Sequence, residues 1–228
     1  GVTAGGNPLP VEPDEQRGPD LQSRKTTGKT NKQSNQHRLR GSTIFFLLLL
    51  LASAVLFALP QGLRKIDSQT HPRKYSELVE KYAAEYEIDP LIIYSIIRTE
   101  SGFDPNAQSN VDARGLMQIT EETFAWIKLK IASGEDITFD QLYDPEINVR
   151  FGAYFLSRCI ARYGDISTAA AAYHSGWGTV DKLLADERYA QDEHTLKEFP
   201  YTQMNLYVYK VGRAYEKYTE LYGAEANS

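Results

Sequence analysis

Residues 43–59 read TIFFLLLLLASAVLFAL, an apolar run without a single charged side chain. A helix that is apolar all round needs an apolar surrounding, so this run cannot lie on the surface of a water-soluble fold. Its length is at the short end of what crosses a bilayer as a helix, and a membrane-spanning segment at 43–59 is therefore expected. Ala52-Ser53-Ala54 has the small-residue spacing of a cleavage site, which leaves a removable secretory signal as the competing reading. The long region ahead of the run and its apolar continuation from Val55 to Leu59 favour an uncleaved anchor.

The chain on either side of the run differs in kind. Residues 1–42 hold Gly, Pro, Ser, Thr, Asn and Gln with almost no large apolar side chain. Such a segment cannot bury enough surface to offset the entropy of ordering it, and is expected to be a disordered tail. Between Leu21 and Ser42 there are six Lys or Arg and no acid. No aromatic residues are interleaved, so a solvated basic tail is favoured over a nucleic-acid-binding arm. By the positive-inside rule those charges keep the tail cytoplasmic, which puts the rest of the chain on the extracytoplasmic side. Residues 60–70 read as a polar linker and 71–228 as one folded domain. From Gln61 onward the chain has 18 basic and 26 acidic residues, a net charge of −8 with His neutral. That balance argues against a nucleic-acid binder.

Within the domain the punctuation is helical. Tyr75, Leu78, Val79, Tyr82, Ala83 and Tyr86 recur at helical spacing. Asp89-Pro90 and Asp144-Pro145 each offer a capping carboxylate followed by a proline at the first helical position, and Gly102 and Gly164 are natural stops. Thr120 and Asp165 read as further caps, and a last helix is expected from about Pro200. The stretch from Phe103 to Gly115 is rich in Asp, Pro, Asn, Ser and Gly and reads as a loop with at most a small hairpin. The fold class expected is mainly α.

One carboxylate sits oddly in this pattern. Glu100 follows Ile93, Ile96 and Ile97 by seven, four and three residues, which puts it on their apolar stripe at the end of a helix. Desolvation there raises a carboxyl pKa toward the value a general acid needs near neutral pH. The plain alternative is a helix-end carboxylate turned to solvent or paired with Arg98 or Arg114, and position alone does not separate the two.

The surrounding residues do. Glu100, Ser101, Phe103, Pro105, Ala107, Ser109, Ala113, Gly115, Leu116, Met117 and Gln118 follow the pattern E-S-x-F-x-P-x-A-x-S-x-x-G-A-x-G-L-M-Q, and the segment resembles the soluble lytic transglycosylase family. Asp112 stands where the family usually has Gly; Asp tolerates the left-handed backbone such a position demands. Ala172, Tyr173 and Gly176 match the family's A-Y-N-A-G, with His174 and Ser175 as departures. His174 invites a metal reading, but the four His, at 37, 71, 174 and 194, show no metal-ligand spacing, so it reads as a substituted packing position. A third segment, E-T-x-x-Y-V, is matched only at Tyr207 and Val208; Gln203 replaces its Glu. Asn148, Gly152, Tyr154 and Leu156 fit a further family stretch loosely.

The resemblance implies a lysozyme-like helical domain on a bacterial membrane, with peptidoglycan as substrate. It implies cleavage of the β-1,4 bond from N-acetylmuramic acid to N-acetylglucosamine, leaving 1,6-anhydro ends. Glu100 would be the only acid and base, and Ser109, Met117, Gln118, Tyr173 and Gln203 would hold the sugars. No metal or cofactor is implied, and no partner protein is named by the sequence. A goose-type lysozyme relative that uses water, and a non-catalytic peptidoglycan-binding module, remain as alternatives.

Overall fold

The structure, a computed structural model, describes residues 33–226. The expected disordered tail lies for the most part, residues 1–32, outside them. The first helix, α1, spans Gln33–Thr70 and therefore begins ten residues before the apolar run and continues past it. Residues 60–70, expected as a polar linker, are its last three turns. Within it Gly41–Leu59 is long and apolar enough to cross a membrane, and none of that stretch is buried by protein. Nineteen residues rise about 28 Å as an α-helix, close to the roughly 30 Å of a bilayer's hydrocarbon core. The chain divides into two units between Val55 and Leu56, inside α1.

The second unit is a helical domain whose element ends are set by the capping side chains. Helix α2 (Ser76–Glu85) is followed by α3 (Pro90–Glu100), where the Asp89 carboxylate accepts the Leu91 N–H at 2.8 Å. Helix α4 (Glu121–Ile131) starts at Thr120, whose hydroxyl accepts the Thr123 N–H. A 3-10 turn at Phe139–Tyr143 leads into α5 (Pro145–Tyr163), capped by Asp144 and stopped by Gly164 at φ 69°. Helix α6 (Ile166–Ser175) takes its cap from Asp165. Gly176 then turns the chain at φ 79° and a short helix, α7 (Trp177–Leu184), follows without a break; the sequence had not marked it. Helix α8 (Thr202–Ala226) closes the domain. The loop between α3 and α4 is held by isolated antiparallel bridges, Gln108 to Arg114 and Arg114 to Ile119, in place of a hairpin with extended strands.

Burial centres on α3. Leu91 to Ile97 are seven consecutive buried residues, packed against α8 on one side and α2 on another. Each large aliphatic side chain fully withdrawn from water contributes roughly 1.5–3 kcal/mol, so this one helix anchors much of the domain. Helix α5 is the second hub and touches α2, α4 and α6. A smaller apolar cluster, built on Ile119, Phe124, Ile127, Leu142 and Phe151, lies under α4, and Phe155 packs against both clusters.

Candidate active site

Glu100 is the last residue of α3, where the helix leaves the core, and it retains partial exposure. Among the described residues no cation pairs with it. Arg114 is taken by Asp112 and Asp140, and Arg98 donates to the Thr70 carbonyl. Among the described residues its carboxylate accepts one hydrogen bond, from α8: the Tyr207 hydroxyl donates to Glu100 Oε1 at 2.7 Å. Loss of water around the carboxyl raises its pKa and the Tyr207 bond, which favours the carboxylate, lowers it. Desolvation wins, and the pKa is pushed up to about 7. Near neutral pH such a group holds a proton about half the time, so it can give one and take one back.

The loop that follows α3 builds a wall beside this acid. The Ser101 hydroxyl donates to the Leu116 carbonyl at 2.8 Å, tying the helix end to the far side of the loop. Met117 is fully buried and fixed at both backbone groups. Its N–H donates to Asn148 Oδ1 at 2.8 Å, and its carbonyl accepts the Tyr173 hydroxyl at 2.8 Å. Asn148, buried on α5, also donates to the carbonyls of Arg114 and Leu142. Glycine is required at two places around this clamp. A Cβ on Gly115, at φ 74°, would overlap the Asn148 amide, and one on Gly152 would overlap the Met117 sulfur.

Burial raises the hydroxyl pKa values of Tyr173, at the end of α6, and of Tyr207, and both lie close enough to Glu100 for its charge to raise them further. Glu100, Met117 and Tyr173 thus lie together, and Tyr207 joins them. Gln118 and Ser109 have other immediate tasks. Both amide hydrogens of Gln118 are spent on the carbonyls of Ala107 and Gly115, leaving its oxygen free to accept, and Gln118 adopts φ 49°. The Ser109 hydroxyl oxygen accepts the Ala113 N–H at 3.0 Å and so shapes the loop. Asp112 sits at φ 58°, the left-handed conformation its glycine-like position demands. Gln203 is exposed on α8, one turn before Tyr207. His174 is exposed at its residue surface, yet its ring stacks on the Tyr207 ring at 4.4 Å between centroids, and the partial loss of water lowers its pKa.

Two residues at the heart of the site were not singled out as site residues from the sequence. Tyr207 was visible only as the surviving aromatic of the third segment. Asn148 was visible only as part of a loose match on α5. Nothing local in either segment signals a partner on α3 or in its loop.

The family model Transglycosylase SLT domain matches residues 77–196. A transglycosylase of Enterobacteria phage PRD1 is 33% identical over 111 residues, which are 46% of this chain and 38% of that protein. The membrane-bound lytic murein transglycosylase C of Yersinia pestis is 35% identical over 133 residues, 54% of this chain and 36% of that protein. The chain thus matches little more than a third of the length of these relatives. Among solved structures, the lytic transglycosylase Slt of Pseudomonas aeruginosa, in an inactive mutant form, superimposes with a TM-score of 0.62 at 27% identity. The match covers 69% of this chain and 26% of that one. The 70-kDa soluble lytic transglycosylase of Escherichia coli gives the same figures. With the family model spanning more than half of its residues, this chain belongs to the transglycosylase SLT domain family.

Proposed function

We propose that this domain is a peptidoglycan lytic transglycosylase that cuts the β-1,4 bond between N-acetylmuramic acid and N-acetylglucosamine, with Glu100 as its only acid and base. The observation that carries this is a single partly exposed carboxyl, desolvated to a pKa of about 7, with no second carboxylate bonded beside it among the described residues. Ordinary glycosidases need two carboxyls, one to protonate the leaving oxygen and one to attack or to activate water. One is enough if the substrate supplies the attacking group. Protonated Glu100 gives its proton to the glycosidic oxygen as the bond from C1 to that oxygen breaks. The resulting carboxylate then takes the proton of the muramic 6-hydroxyl, whose oxygen bonds to C1. Glu100 ends protonated, no water is consumed, and the product carries a 1,6-anhydro ring.

Tyr207 supports the second half of this cycle by stabilising the carboxylate through Oε1. Met117 forms the wall, and the oxygens of Gln118, Tyr173 and Ser109, with the exposed amide of Gln203, are assigned to the sugars. The named relatives support the reaction class. Anchoring by α1, with the domain on the extracytoplasmic side of a bacterial membrane, is part of the same proposal. It rests on the bilayer-length apolar stretch Gly41–Leu59 and on the basic residues ahead of it. Digestion of purified sacculi followed by mass analysis of the fragments tests the reaction. Fragments ending in 1,6-anhydromuramic acid are expected; reducing muramic ends would mean that water attacks, as in a lysozyme.

A further inference from the structure

Helix α6 ends on two adjacent side chains that serve different partners around the acid. Successive residues of an α-helix point about 100° apart, so neighbours in sequence face different elements. The Tyr173 hydroxyl donates to the Met117 carbonyl, whereas the His174 imidazole lies flat on the Tyr207 ring of α8, with 4.4 Å between centroids and 13° between planes. His174 is exposed and Tyr207 is only 6% exposed. The imidazole thus stands between one face of the phenol ring and water. An Asn, which the family motif has at position 174, presents no ring to stack.

The stack matters because of what Tyr207 holds. A phenol oxygen lies on the long axis of its ring, so spinning the ring about that axis leaves the oxygen in place, and only a swing of the whole ring moves it. A swing out of the ring plane carries the hydroxyl away from Glu100 Oε1, and His174 blocks that swing on the side it covers. We propose that His174 is a positioning residue for the reaction at Glu100, keeping the Tyr207 hydroxyl on Oε1 by covering the ring. It acts through Tyr207, and the inference rests on the reading that Glu100 is the acid and base. The charge around the stack agrees with this role. The titratable groups that act on the Tyr207 hydroxyl are Glu100 on α3, Tyr173 on α6 and Cys159 on α5, and none of them is a cation. Partial loss of water lowers the His174 pKa from its ordinary 6.5, so on rising pH it gives up its proton before Glu100, whose pKa is about 7. While Glu100 titrates, a neutral ring therefore orders Tyr207 without adding a positive charge that would favour the carboxylate.

The test reads the Glu100 pKa in two ways on the full chain in detergent. One is NMR titration of the Glu side-chain carboxyl carbons, with the Glu100 signal identified by its loss in Glu100→Gln; the other is the alkaline limb of the pH–rate profile on sacculi. His174→Ala should raise both by about half a pH unit, in the direction of Tyr207→Phe. His174→Phe, which keeps a flat ring, should restore the unsubstituted value. In Tyr207→Phe, which has no hydroxyl to hold, adding His174→Ala should change neither. A Glu100 pKa that His174→Ala leaves in place or lowers, as entering water would, overturns the assignment. So does a rise that His174→Phe fails to reverse or that appears equally in the Tyr207→Phe background. If NMR shows the expected pattern while the unsubstituted chain releases no anhydro ends, the positioning of Glu100 stands and the reaction proposed for it fails.

Discussion

At the scale of single residues, the chemistry proposed for Glu100 rests on the balance of two effects, loss of water and the Tyr207 bond, and each can be moved alone. Tyr207→Phe keeps the ring and its stacking with His174 but removes the bond that favours the carboxylate. The Glu100 pKa should then rise further, and the alkaline limb of the pH–rate profile should move to higher pH; an unmoved limb would mean that the bond does not govern the acid. Folding also raises the Glu100 pKa from 4.5 to about 7. The folded state therefore keeps its proton where the unfolded chain has lost it. The stabilising effect of this protonation is complete below pH 4.5 and is lost as the pH rises through about 7. Glu100→Gln has no such loss, so its stability relative to the unsubstituted protein should grow across that window and then level off in thermal unfolding at a series of pH values. The part proposed for Gln203 is a different one. Exposed and one turn from Tyr207, it is expected to raise KM more than it lowers kcat when changed to Ala, and a fall confined to kcat would give it a part in the chemistry.

At the scale of elements, Asn148 joins α5 to the loop that walls the acid. Asn148→Ala would leave the Met117 N–H and the Leu142 carbonyl without their buried partner, while the Arg114 carbonyl keeps the Ile119 N–H. At roughly 1–3 kcal/mol for each unsatisfied buried group, a loss of about 3 kcal/mol or more is expected, visible as a clear fall in Tm. An unchanged Tm would show that the loop holds its shape without the clamp. What the sequence disclosed follows from where its signals act. Caps and stops act within a few residues, so Asp89, Thr120, Asp144, Gly164 and Asp165 marked the helices correctly. The stripe of Ile93, Ile96 and Ile97 is local too, and it pointed to Glu100. The Asp112 backbone could be anticipated because few side chains tolerate that conformation. Partnerships between distant segments leave no such mark. The Tyr207 bond to Glu100 and the Asn148 clamp on Met117 depend on how α8 and α5 pack, which no residue pattern within α3 encodes. The helical course of residues 60–70 and the short α7 escaped notice because neither begins with a capping side chain.

At the scale of the whole molecule, an apolar helix and a helical domain are joined in one chain, and each makes a separate demand. The exposed side chains of Gly41–Leu59, among them Leu56 at 76% and Phe57 at 74% exposure, need a bilayer around them. The full chain should stay with membranes through a high-salt wash, since apolar burial is not screened by ions; release by salt would show that attachment is electrostatic. The demand proposed for the domain is catalytic, and its most direct test joins one substitution to one product. Sacculi are digested with the unsubstituted chain and with Glu100→Gln, and 1,6-anhydromuramic ends are counted by mass spectrometry. A general acid that is also the only base predicts abundant anhydro ends with the first. With the second, the rate should fall by about 10²-fold or more while fold and glycan binding persist. Near-normal release of anhydro ends by folded Glu100→Gln would contradict the single-carboxyl mechanism.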